Sequence, residues 1–236
     1  MSLLEMKNVS YLNEQDGKPV IDNVSIEINK GSVSAFLGKP GGGKSSALKL
    51  IAGLLLPDSG EILFEGKNIH ELKTKDYLLM RKHTGFMFQD SALWANQDIF
   101  HNLELPLQTH FPKMDAAERK EKIEAVAKLV GYTKPLTLRP VSLSIGEQKR
   151  IGFARALIYE PDILFLDEPT ESIDVKTISL FEDIIRDFIA KGNTLIYVSH
   201  DIDFINRMGG KKYYFEDGKI ADIKSEKEEV VEEQEE

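Results

Sequence analysis

Hydrophobic and polar positions alternate along this chain with two different periods. In Val20–Ile28, the residues Val20, Val24, Ile26 and Ile28 are interleaved with polar ones, the pattern of a strand with one buried face. Leu3–Val9 reads as a shorter strand, and Asp16-Gly17 between the two is a turn dipeptide suited to a hairpin. Val33–Leu37, Ile163–Leu166 and Thr194–Ser199 are apolar runs and predict buried strands. Helical spacing is present in Ala116–Val130, where Ile123, Val126, Ala127 and Val130 share a face, and in the amphipathic stretch Thr177–Ile189. Gly131 stands where a helix stop is expected. A further helix is predicted over Lys44–Leu55, before Pro57, with Asp58-Ser59-Gly60 turning the chain into a strand at Glu61–Glu65.

Strand, helix, strand alternation predicts an α/β fold whose main sheet is parallel and covered by helices, behind an N-terminal antiparallel part. From about residue 91 to 156 helical patterns dominate, and this stretch reads as a subdomain inserted in the core. The expected organisation is one domain over 1–222 followed by an acidic, disordered tail over 223–236.

Composition narrows the picture. The chain has 236 residues, of which 42% are hydrophobic and 29% charged, ordinary values for a soluble globular protein. It contains no cysteine, which excludes disulfides and thiolate metal sites. No apolar stretch approaches the roughly 20 residues of a membrane-spanning helix. Glu5, Lys7 and Asn8 interrupt the region where a signal peptide needs an apolar core. Any work at a membrane is therefore expected from its cytoplasmic side, peripherally, through a partner chain. The net charge is -9, most of it carried by the residues after Ala221. The nearly neutral body has no basic stripe, and no nucleic-acid partner is expected.

The chemistry-bearing residues fall at strand ends. Gly38-Lys39-Pro40-Gly41-Gly42-Gly43-Lys44-Ser45 follows an apolar strand and opens a helix, matching G-x-x-x-x-G-K-[ST]. Residues without Cβ let backbone N–H groups converge on phosphate oxygens at a helix N-terminus. In this motif Lys44 neutralises the β- and γ-phosphates and the Ser45 hydroxyl binds Mg²⁺; Ser46, next in line, is grouped with the nucleotide-binding residues. The run Ile163–Leu166 delivers Asp167 and Glu168 to the edge where parallel sheets bind ligands. Asp167 suits the metal and Glu168 suits polarising a water molecule. His200 ends the run Thr194–Ser199 and should reach the same edge, within hydrogen-bonding range of a γ-phosphate.

These features are shared by many P-loop proteins; Leu143-Ser144-Ile145-Gly146-Glu147-Gln148-Lys149-Arg150 is more specific. It resembles the L-S-G-G-Q signature of ABC ATPases and precedes the Asp167 strand at that family's spacing. Tyr11 resembles the aromatic residue that stacks on adenine, Gln89 the Q-loop glutamine that touches Mg²⁺ and water, Ser172-Ile173-Asp174 the D-loop, and His200 the switch histidine. The resemblance covers residues 1–222 and implies a RecA-like P-loop NTPase core. It also implies a homodimer sandwiching two ATP molecules, with Ser144 and Gly146 of one copy contacting the nucleotide on the other. The catalytic set it implies is Glu168, His200, Gln89 and Lys44, with Ser45, Gln89 and Asp167 on the metal. Two positions depart from the family pattern. Glu147 replaces glutamine, but Ser144-x-x-Glu147 is a capping box that can strengthen the helix start. Ile145 replaces glycine and would be strained if its backbone needed positive φ.

An ATPase of this kind drives a separate transmembrane permease. The segment Asp90–Phe111, with Ser91-Ala92-Leu93-Trp94, Ile99-Phe100, Asn102 and Leu105–His110, resembles the ATPases of MCE-type (Mla-like) phospholipid transporters. That resemblance implies an MCE-domain lipid-binding protein among the partners. The Asn-x-x-x-Pro-Leu element also occurs in lipoprotein-releasing and macrolide-export relatives, and a cell-division ABC ATPase would look much the same. Trp94 has two readings, an aromatic of the groove that receives the membrane partner and a core aromatic.

Overall fold

The computed structural model describes residues 2–224. The chain begins with β1 (Ser2–Leu12), β2 (Pro19–Asn29), β3 (Val33–Gly38), α1 (Lys44–Ile51), β4 (Ser59–Phe64), β5 (Lys67–Asn68), α2 (Thr74–Lys82) and β6 (Thr84–Met87). Three helices follow: α3 (Ile99–His110), α4 (Ala116–Leu129) and α5 (Ile145–Leu157). It closes with β7 (Ile163–Asp167), α6 (Val175–Ala190), β8 (Thr194–Val198), α7 (Ile202–Met208), β9 (Lys211–Glu216) and β10 (Lys219–Lys224).

The strands form two sheets. A four-stranded sheet in the order β2-β1-β4-β5 is antiparallel throughout. A six-stranded sheet in the order β10-β9-β3-β8-β7-β6 is parallel except for β10, which runs antiparallel to β9 at one edge. The architecture is thus α/β with a mainly parallel sheet and an antiparallel N-terminal sheet, as the alternation of patterns predicts. The apolar runs are strands buried on both faces. On β7, Leu164 and Leu166 pack with the helical side, including Ile151, Phe153 and Phe181. Ile163 and Phe165 of the same strand pack with the N-terminal sheet and α1, among Leu4, Ile26 and Leu48. One strand therefore serves two cores, which is why it carries no polar alternation.

Local sequence explains most element ends. The β1–β2 hairpin closes through Asn13 N to Lys18 O at 2.8 Å and Gly17 N to Asn13 O at 2.9 Å, around the expected Asp16-Gly17 turn. α4 stops at Gly131, with Tyr132 N bonded to Ala127 O (2.9 Å) and Gly131 N to Lys128 O (3.0 Å), a Schellman motif.

Three expectations need correction. α1 ends at Ile51 rather than Leu55. Gly53 takes φ +69°, and Leu54 N to Lys49 O and Gly53 N to Leu50 O (both 2.8 Å) close the helix four residues early. On β2 the buried residue is Ile21 and not Val20, because the pairing with β1 slips between Val9–Val24 and Tyr11–Ile21. That slip is a bulge of the kind that re-aims a side chain, and it frees Val20 to face a cleft. Finally, β10 runs to Lys224, so Ile223 and Lys224, expected in the acidic tail, are paired with Tyr213 and Lys212. The rest of that tail, 225–236, lies outside the described residues.

Candidate active site

At the C-terminal edge of the parallel strands a cleft of ≈ 650 Å³ opens between Val20, the loop after β3, and the ends of β7 and β8. β3 ends at Gly38, and the chain turns through 39–43 before Lys44 begins α1. Pro40, Gly41, Gly43, Lys44, Ser45 and Ser46 line the cleft, so the first turn of α1 offers its unpaired N–H groups to it. Gly43 is fixed by its surroundings. It takes φ +95°, and a Cβ there would lie 2.5 Å from Val20 O.

Lys44 is buried, and its Nζ donates to the carbonyl oxygens of Gly38 (2.8 Å) and Lys39 (2.7 Å). Burial lowers its pKa, an effect that Glu168 and Asp167 oppose. Ser45 Oγ donates to Asp167 Oδ1 at 2.7 Å. Asp167 is itself buried, and that desolvation raises its pKa against the Ser45 hydrogen bond. A serine hydroxyl and a buried carboxylate in contact form a hard-oxygen pair, which suits Mg²⁺.

Glu168 follows at the end of β7 with φ +49°, a left-handed backbone that side chains other than glycine seldom adopt. Its N–H donates to Val198 O at 3.0 Å. Its carboxylate accepts from His200 N at 3.2 Å and lies 3.3 Å from His200 Nε2. Burial raises the Glu168 pKa, with His200 opposing. Gln89 lines the cleft too, but its Nε2 donates to Glu171 Oε2 at 3.0 Å. Asp167, Gln89 and Glu171 also share a neighbouring hollow of ≈ 470 Å³.

The structure thus gathers Lys44, Ser45, Ser46, Gln89, Asp167, Glu168 and His200 from four separate segments. It also adds residues that the sequence pattern did not single out: Val20, Thr170, Glu171 and Asp201. Tyr11 does not line the cleft; it sits partly buried on β1 opposite Ile21. Ser144, Gly146 and Asp174 do not line it either. Ser144 caps α5 in a complete capping box: Glu147 N donates to Ser144 Oγ (3.3 Å) and Ser144 N to Glu147 Oε2 (2.9 Å). Lys134 holds Glu147 at 2.8 Å, and this contact leads the causes that lower the Glu147 pKa. Ile145 occupies the first helical position and is not among the residues with positive φ, so the condition under which it would be strained is not met. Asp174 caps α6 through Thr177 N (3.0 Å) and Thr177 Oγ1 (2.6 Å).

A glycine-rich loop feeding a helix, a serine–aspartate pair and a strand-end acid beside a histidine define a P-loop nucleoside triphosphatase. Comparison with known proteins makes this specific: the chain belongs to the ABC transporter family of ATP-binding domains, whose model matches residues 21–171. Such domains bind ATP with Mg²⁺ and hydrolyse it. The phospholipid-transport ATP-binding protein MlaF of Haemophilus influenzae is 32% identical over 93% of this chain and 82% of its own length. YtrE of Bacillus subtilis is 34% identical over 85% of this chain and 86% of its length. The methionine-import protein MetN of Histophilus somni is 30% identical, and this chain spans 66% of its length. In three dimensions, the dimeric cassette MJ0796 in a post-hydrolysis state bound to ADP and Pi matches with a TM-score of 0.87 at 28% identity, covering 94% of this chain and 98% of the other.

Proposed function

We propose that this chain is the ATPase subunit of a phospholipid transporter, working as a pair of copies on the cytoplasmic side of a membrane beneath a separate permease. The observation that carries the catalytic part is the Glu168–His200 contact at 3.3 Å, set beside the Ser45–Asp167 pair at the glycine-rich loop. In this reading the chain as far as the end of β10 at Lys224 forms one ATP-binding domain with a helical lobe at about 91–156.

Each residue then has a task. Lys44 leaves the Gly38 and Lys39 carbonyls for the β- and γ-phosphate oxygens, and the N–H groups of Gly41 and of Gly43 to Ser46, all lining the cleft, cradle the rest. Ser45 and Asp167 would hold Mg²⁺, joined by Gln89 once it releases Glu171, and a metal bound there would supply positive charge opposite the phosphates. Glu168 polarises the attacking water and His200 donates to a γ-phosphoryl oxygen. Tyr11, which lies outside the cleft lining, would stack on the adenine where the base extends beyond that cleft. Ser144 and Gly146 of the second copy close on the γ-phosphate with Asp174 nearby, using the N-terminus of their own helix.

The lipid cargo is supported by the MlaF relatives and by the segment after Gln89. Trp94 there is 52% exposed, which removes its core reading. Asn102 pins its backbone, accepting from Trp94 N at 2.8 Å and donating to Trp94 O at 3.2 Å. A rigid, exposed aromatic beside the Q-loop suits contact with a permease. Among the described residues no helix is long and apolar enough to cross a membrane, so the proposed membrane passage belongs to the partner. The test is isolation of the chain with its membrane partners, followed by ATP-dependent transfer of labelled phospholipid between vesicles. A co-purifying permease and MCE-domain protein with lipid transfer supports the reading. Methionine uptake, export of a macrolide or lipoprotein, or a division-site partner without cargo overturns it.

A further inference from the structure

Lys149 lies in the second turn of α5, five residues after the Ser144 cap, and its side chain is 2% exposed. Its ammonium donates to the carbonyl oxygen of Glu168 at 2.5 Å and stands 3.9 Å from Glu171 Oε2. Glu171 in turn receives Gln89 Nε2 at 3.0 Å. Glu168 is therefore tied at three points: its N–H to β8, its carboxylate to His200, and its carbonyl to Lys149.

We propose that Lys149 is a positioning residue for hydrolysis, holding the left-handed Glu168 turn so that its carboxylate faces the cleft. A buried ammonium is a poor choice for packing alone, since a methionine fills similar space without the cost of desolvating a charge. A strained backbone persists only where neighbours over-determine it, and a charge-assisted bond to the carbonyl does so at the residue concerned. Lys149 also shares a helix with Ser144 and Gly146. On the paired reading proposed above, engagement of that helix start by the other copy's nucleotide is passed through one rigid helix to the Glu168 of its own copy. The two sites are thereby joined through Lys149.

The experiment compares Lys149→Met, Lys149→Gln and Lys149→Arg in the full chain with its membrane partner, reading kcat, KM for Mg-ATP, the Hill coefficient and the melting temperature. Lys149→Met is expected to lower kcat about tenfold or more, because misplacement of a catalytic group is costly, while KM changes less than about twofold. The Hill coefficient should fall toward 1, and Lys149→Arg, which keeps a cationic donor, should recover most of kcat. If Lys149→Met does not fold, Lys149→Gln decides, with a smaller loss of kcat at unchanged KM expected. Unchanged kcat in the folded Met or Gln variant, or KM rising in step with the loss of kcat, overturns the proposal. Glu168→Gln separates it from the function reading. If Glu168→Gln still hydrolyses ATP, the assignment of Glu168 fails. If Glu168→Gln is inactive and Lys149→Met is fully active, only the positioning role fails.

Discussion

Ser45 and Asp167 stand 122 positions apart in the chain, yet the serine hydroxyl donates to the aspartate at 2.7 Å. α1 presents the first and β7 the second, so the joint between helix and sheet sets the contact. Removing the hydroxyl in Ser45→Ala leaves the buried Asp167 carboxylate without this donor and, under the proposed function, would leave Mg²⁺ short of an oxygen. Hydrolysis should fall by about 100-fold, the scale seen when one catalytic electrostatic contact is lost. A titration of activity against Mg²⁺ checks it, since the variant should need a higher concentration for half-maximal turnover.

Glu168→Gln should abolish turnover while retaining ATP binding, so that the closed pair accumulates and elutes as a dimer in size-exclusion chromatography. It should also melt at a higher temperature near neutral pH. Burial raises the folded-state pKa of Glu168, so its contribution to stability is present below the ordinary glutamate range and is lost as pH rises through the raised value. An amide has no charge to desolvate. By the same sign, wild-type kcat should begin to fall on acidification at a higher pH than an ordinary glutamate would dictate. A pH–rate profile measures this directly.

Gly43→Ala and Gly41→Ala should part company. Both glycines have positive φ, but a Cβ at Gly43 lies 2.5 Å from Val20 O, whereas nothing lies within 4 Å of one at Gly41. Backbone strain alone costs on the order of 1 kcal/mol, and an immovable steric contact adds to it. Gly43→Ala should therefore melt lower and lose nucleotide binding, while Gly41→Ala keeps a measurable ATP affinity. Fluorescent-nucleotide titration alongside thermal melting distinguishes the two.

Glu147→Ala removes both the reciprocal cap on α5 and the pair with Lys134. A loss of about 1 kcal/mol of stability is expected, typical for a cap. Glu147→Gln keeps an acceptor for Ser144 N and should lose less. Chemical denaturation of the three proteins ranks them.

Much of this site could be read from the letters because its chemistry is contiguous. Gly38–Ser46 and Ile163–Glu168 each carry strand, turn and reactive groups in a single stretch. The capping box at Ser144 was legible for the same reason, and it explains why Ile145 sits without strain in the first helical turn, 63% exposed. What escaped depends on packing between distant segments. Nothing local announces that Lys149 will meet the Glu168 carbonyl, or that Gln89 will rest on Glu171. The slip that turns Val20 toward the cleft arises from register with β1, and alternation counted along β2 alone misplaces it. Short elements such as β6 and β10 carry too few periods to declare themselves.

That Ser144 and Gly146 lie away from the cleft formed by their own chain has a genetic consequence under the paired reading. An allele damaged at the phosphate loop and another damaged at the start of α5 are each inert alone. Expressed together, they assemble mixed couples in which one of the two compartments is whole. Partial restoration by two defective genes is thus a property of where a single helix happens to point.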